Sequence, residues 1–105
     1  MLEKSKIIIK HREQIDKIDT SIINLLHKRF ETAKEIAKYK KKQKYPIFSK
    51  KREVEAIKSR SELANKKGIS PKFISLLFKL VFSESRNVQR KVLATPVSFD
   101  KKSKI

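Results

Sequence analysis

The alternation of apolar and polar positions along the chain opens on a long helical stripe. Ile15, Ile18, Ile22, Leu25, Arg29, Ala33, Ile36 and Lys40 step by three or four residues, the spacing that lines one face of an α-helix. No Gly or Pro precedes Pro46, so the pattern predicts one helix from about Lys6 to about Lys42, on the order of 55 Å long. A compact domain of this size has a radius of gyration of about 13 Å, so such a helix must find a partner. The expected arrangement is a dimer in which long helices pack along the Ile15, Ile22 and Leu25 stripe, with a coiled coil as the alternative.

Two shorter helices follow. Pro46 stops the first, Ser49 is a good N-cap, and Val54, Ile57, Ser61 and Ala64 mark a second helix that closes at Gly68, a natural C′ residue. Ser70 then caps a third helix with Pro71 at its first position, predicted to run to about Ala94, before Pro96. Ile74, Leu77, Val81, Ser85, Val88 and Val92 share its face, and Gln89 lies beside Val88. The fold class is therefore all-α, with one long, one short and one medium helix over residues 1–94 and a basic C-terminal tail over 95–105. The chain contains no internal repeat.

Composition agrees with helices and limits the chemistry. At 105 residues and 38% apolar content the core is modest and a lone monomer would be marginal, while one Gly and three Pro disfavour tightly turned sheets. Cysteine is absent and only His11 and His27 remain as soft ligands, so a metal enzyme is not expected. The N-terminal MLEKSKIIIKHR holds a three-residue apolar run, too short for a signal peptide or a membrane span, which leads to the expectation of a cytoplasmic protein with no membrane partner. The formal charge of +17 includes eight Lys or Arg and no acid between Lys38 and Arg52. That run suits a polyanion, but no zinc knuckle, RNP motif or helix-turn-helix glycine turn accompanies it, so nucleic acid is not the favoured partner.

The informative positions are polar ones on the side that should be dry. Single Ser, Gln or Lys residues near helix ends are most simply read as the margin where a packed face meets water. Arg29, in mid-helix, is harder to read that way, because a buried unpaired cation costs several kcal/mol. Glu53 alone cannot balance Arg12, Arg29, Lys40 and Arg52, so a ligand is the natural counterion. Arg29 and Lys40, close to three turns apart at about 16 Å along one face, could converge through long side chains on a small dianion. Ser85 and Gln89 would add neutral donors, and Glu53 an acceptor for a substrate hydroxyl.

In order and spacing, Arg12-Glu13, Ile15, Ile18-Asp19, Leu25-Leu26, Arg29, Lys40, Pro46-Ile47, Arg52-Glu53, Leu77-Phe78 and Ser85-x-x-x-Gln89 resemble the all-helical chorismate mutases of the bacterial AroQ type. The likeness runs from about residue 10 to 92. It implies an intertwined homodimer of three-helix chains with two equivalent sites, converting chorismate to prephenate on the branch toward phenylalanine and tyrosine, without a cofactor. By similarity, Arg29 and the partner chain's copy of Arg12 would hold substrate carboxylates, with Arg52 and Ser85 assisting. Lys40 and Gln89 would donate to the ether oxygen of the breaking bond, and Glu53 would orient the ring hydroxyl. Ser49, counted with the substrate-binding positions, stands where many members carry an acid; it can still cap its helix but brings no charge. Two other readings remain beside this one: an isochorismate pyruvate lyase on the same scaffold, ranked lower because Glu53 and Ser85 match the mutase pattern, and a non-catalytic basic helical nucleic-acid binder.

Overall fold

A computed structural model describes residues 2–94, and the basic tail expected over 95–105 lies outside them. Three helices follow one another: α1 (Leu2–Gln43), α2 (Lys50–Lys66) and α3 (Pro71–Ala94), with no strand among the described residues. The all-α expectation with long, short and medium helices holds. Helix α1 begins four residues before the expected Lys6, because nothing in LEKS breaks a helix and Glu3 favours its first turn.

The chain divides into two compact units, one ending at Thr32 and the other beginning at Ala33. Residues 2–32 of the first are helical throughout. Three of its hydroxyl side chains are satisfied locally, Thr20 Oγ1 donating to the Asp16 carbonyl at 3.0 Å, Ser21 Oγ to that of Lys17 at 3.1 Å and Thr32 Oγ1 to that of Lys28 at 2.8 Å. Most of its apolar residues are not covered: Ile15, Ile18, Ile22 and Leu25 are all at least half exposed, as are Ile7, Ile8, Ile9 and Ile23, while Leu26 and Phe30 are half-buried.

The second unit contains the buried positions. The last turns of α1 bury Ala33 and Ala37, α2 buries Ala56 and Ala64, and α3 buries Val81, Phe82 and Gln89. Helices α2 and α3 pack against each other. Their contact face is largely the expected one, with Ala64 and Val81 buried and Ile57, Ser61, Ile74, Ser85, Val88 and Val92 half-buried. Val54 and Leu77 are exposed, while Ala56 and Phe82 take the inner positions and Phe78 meets Phe82 at 5.9 Å between ring centroids.

The helix ends are defined by local chemistry. Ser49 sits in extended geometry and its Oγ accepts from the Arg52 N–H at 3.3 Å; Ser70 Oγ accepts likewise from the Phe73 N–H at 3.2 Å. Helix α2 closes on Gly68 at φ +74°, with the Ile69 N–H reaching the Ala64 carbonyl at 2.8 Å and the Gly68 N–H that of Asn65 at 3.1 Å, a Schellman closure. Helix α1 ends before Pro46 is reached. Lys44 takes a left-handed conformation at φ 62°, and the Tyr45 N–H closes on the Lys40 carbonyl at 2.9 Å. A lysine thus does the work usually given to glycine, at a steric cost of about 1 kcal/mol.

Candidate active site

Six of the singled-out polar residues lie in the second unit, and three of them, Lys40, Gln89 and Glu53, are each held through the side chain by a specific partner. Lys40, on the last turns of α1, follows Ala33 and Ala37 on one face and is half-buried. Its ammonium donates to the Ile47 carbonyl at 3.0 Å. An ammonium has three N–H groups, so this bond aims the side chain and leaves two donors. The sharp turn through Lys44 makes the contact available by bringing Ile47 back toward α1.

Gln89 is buried on α3, 7% exposed, and its Nε2 donates to the Ala33 carbonyl at 3.1 Å. The reach depends on Ala33: only a small side chain leaves the backbone of α1 open to a neighbour, and that carbonyl has a second lone pair beyond its helical bond. The amide nitrogen therefore holds one N–H in a fixed contact and carries a second. A buried amide on the packed side of a helix is costly without partners, and here the partner is found.

Glu53 lies in the first turn of α2, half-buried. Arg86 of α3 donates through Nη1 to both Oε1 and Oε2 at 2.5 Å, and the two side chains are 24% and 25% exposed. The Arg86 guanidinium also lies over the Phe48 ring, 5.1 Å from its centroid. Arg60 stands similarly 5.9 Å from the centroid of Phe78. Lys40, Ile47, Phe48, Arg86 and Glu53 thus form a continuous path of contacts from α1 through the connection to α3 and α2. Ser85, beside Arg86, is half-buried and engaged by a neighbour.

The other candidates are placed differently. Arg12 and Arg29 belong to the first unit; Arg12 is exposed, whereas Arg29 is half-buried and already engaged by its surroundings, so it is not the unpaired cation that its position on the stripe suggested. Arg52 and Ser49 are exposed, and their clear role within the chain is the cap between them. Arg86 and Phe48 were not foreseen. The signal was present in Phe78, Phe82, Arg86 and Gln89, which step by three and four along a row that borders the face drawn through Val81 and Val88. What the second unit offers chemically is two donors with hydrogens to spare and one carboxylate acceptor, with no nucleophile among these held side chains.

Comparison with known proteins bears on what these groups act upon. The family described as "Chorismate mutase type II" matches residues 11–90. The chain is 34% identical over 74 residues to a T-protein of Enterobacter agglomerans, covering 70% of this chain and 20% of that protein. It is 33% identical over 86 residues to a bifunctional chorismate mutase/prephenate dehydratase of Buchnera aphidicola, covering 82% of this chain and 22% of the relative. The chain therefore spans about a fifth of the length of these curated relatives. No solved structure gives a significant match.

Proposed function

The chain belongs to the chorismate mutase type II family, and from that premise we propose that it rearranges chorismate to prephenate. The observation that carries the reading is the set Lys40, Gln89 and Glu53, each clamped by a bond that leaves part of its hydrogen-bonding capacity open. The rearrangement takes place within one molecule: an ether C–O bond breaks as a C–C bond forms. It asks for no nucleophile, no net proton transfer and no cofactor, only capture of the compact reactive conformer and donors where negative charge grows on the ether oxygen. Lys40 and Gln89 are the donors in this proposal, each worth about 3 to 4 kcal/mol in the transition state if preorganised. Glu53 accepts from the ring hydroxyl, and Arg29, Arg52 and Ser85 hold the carboxylates.

The reading includes a homodimer in which the partner copy supplies Arg12. Support comes from Ile15, Ile18 and Ile22, which expose half or more of their surface on one face of α1 and would regain the hydrophobic term only against another chain. A cytoplasmic location belongs to the same proposal. None of the three helices is long and apolar enough to cross a membrane.

The test is depletion of chorismate by purified protein, with the product identified. Prephenate is expected. Salicylate and pyruvate from isochorismate, without prephenate from chorismate, would reassign the chain to the lyase chemistry, and a salt-dependent oligonucleotide shift with neither turnover would move it out of enzymes altogether.

A further inference from the structure

We infer that Arg86 is a positioning residue for the proposed reaction: it orients the Glu53 carboxylate and cancels its charge toward a doubly negative substrate. The inference rests on the mutase reading and adds to it a residue that neither the family pattern nor the stripe assigned.

Glu53 must do two things that conflict. As the acceptor for a hydroxyl it is best ionised, yet an ionised carboxylate repels a dianion that has to settle beside it. Arg86 resolves the conflict by geometry. One guanidinium nitrogen stands 2.5 Å from each carboxylate oxygen. The pair is close to neutral as a unit, while a carboxylate with about four acceptor positions keeps some of them for the hydroxyl. Symmetric contact with both oxygens also fixes the plane of a side chain that otherwise turns freely at its terminal bond.

Arg86 is in turn fixed. Its stem belongs to α3, its guanidinium rests over Phe48, and its side chain is only 24% exposed, so water competes weakly for it. Phe48 follows Ile47, whose carbonyl holds Lys40. The acceptor on α2 and the donor on α1 are therefore referenced to the same two adjacent residues of the connection. A salt bridge serving only to join α2 to α3 would not need this link, and it would leave catalysis unchanged when replaced by a neutral pair of similar strength.

The experiment combines Arg86→Gln, Arg86→Lys, Glu53→Gln and the double variant Arg86→Gln/Glu53→Gln, with kcat, KM and thermal melting measured on each. Arg86→Gln should lower kcat about tenfold, the scale of losing a charged hydrogen bond, and raise KM severalfold, because the uncovered Glu53 carboxylate then repels the dianion. Arg86→Lys should recover most of the loss. In the Glu53→Gln background the Arg86→Gln change should cost little more, since the group it orients is gone. Unchanged kcat in a folded Arg86→Gln chain would overturn the inference, as would full multiplicative losses in the double variant. If Arg86→Gln does not fold, Arg86→Met decides in its place: a severalfold drop in kcat with a near-normal melt supports the role, and wild-type kcat refutes it. A wild-type chain that leaves chorismate untouched would overturn the mutase reading and this inference together, whereas active wild type with an indifferent Arg86→Gln defeats only the latter.

Discussion

Residues 2–32 and residues 33–94 of this chain are both helical, and they meet their hydrophobic needs in opposite ways. In the first region Ile15, Ile18 and Ile22 form a regular stripe, yet each exposes half or more of its surface. In the second, smaller residues do more: Ala37 is 0% exposed, Ala56 3% and Ala64 5%, with Phe82 seated among the inner positions. Large side chains without a neighbour contribute little, and alanines that let helices approach closely contribute a packed core. The polar chemistry follows the same division. Lys40, Glu53 and Gln89 are clamped in the packed region. The first region carries Arg12 exposed and Arg29 half-buried.

A charge placed in each region breaks the comparison most directly. Ala37→Asp should unfold the second region at any protein concentration, because a carboxylate there has no solvent and no partner, a penalty of several kcal/mol. Ile18→Asp should be nearly harmless to the isolated chain but abolish the proposed dimer, so that melting and turnover fail in a concentration-dependent way read by sedimentation and calorimetry. Equal effects of the two substitutions would show that the stripe is covered within one chain.

Lys40→Ala sharpens the division between packing and chemistry. Its ammonium is spent on one carbonyl and two open donors, so its removal should lower kcat by about two to three orders of magnitude, while circular dichroism and oligomeric state stay near wild type. Near-normal turnover would remove Lys40 from the site.

The smallest effects belong to the two left-handed residues. Gly68→Ala, at φ +74° with nothing within 4 Å of an added Cβ, should cost about 1 kcal/mol from backbone strain alone. Lys44→Gly, at φ 62°, should change stability in the opposite direction by a few tenths to about 1 kcal/mol. Because Lys44 shapes the turn that presents Ile47 to Lys40, the second variant also reports on the site: added flexibility there should lower kcat slightly even as the melt rises.

Much of the architecture was legible in punctuation. Ser49, Gly68, Ser70 and Pro71 each act where their side chains or backbones allow, since a cap is decided within four residues. The end of α1 was less legible: Pro46 marks it, but Lys44 makes it, and a lysine carries no hint of a left-handed turn. Lys40, Glu53 and Gln89 were legible as polar groups on apolar faces. Their partners were not, because a carbonyl such as that of Ile47 or Ala33 has no signature in the side-chain pattern, and Arg86 reads as one cation among 28 Lys and Arg.

By itself, the amino-acid order determined three helices, their caps and the family to which they belong, because propensity, capping and periodic spacing are short-range effects that accumulate along the chain. Only tertiary structure decided that Phe82 is buried while Leu77 is not, and that Glu53 answers to an arginine 33 positions away. Those outcomes depend on volumes and charges meeting across helices, and such meetings are absent from any window of neighbouring residues.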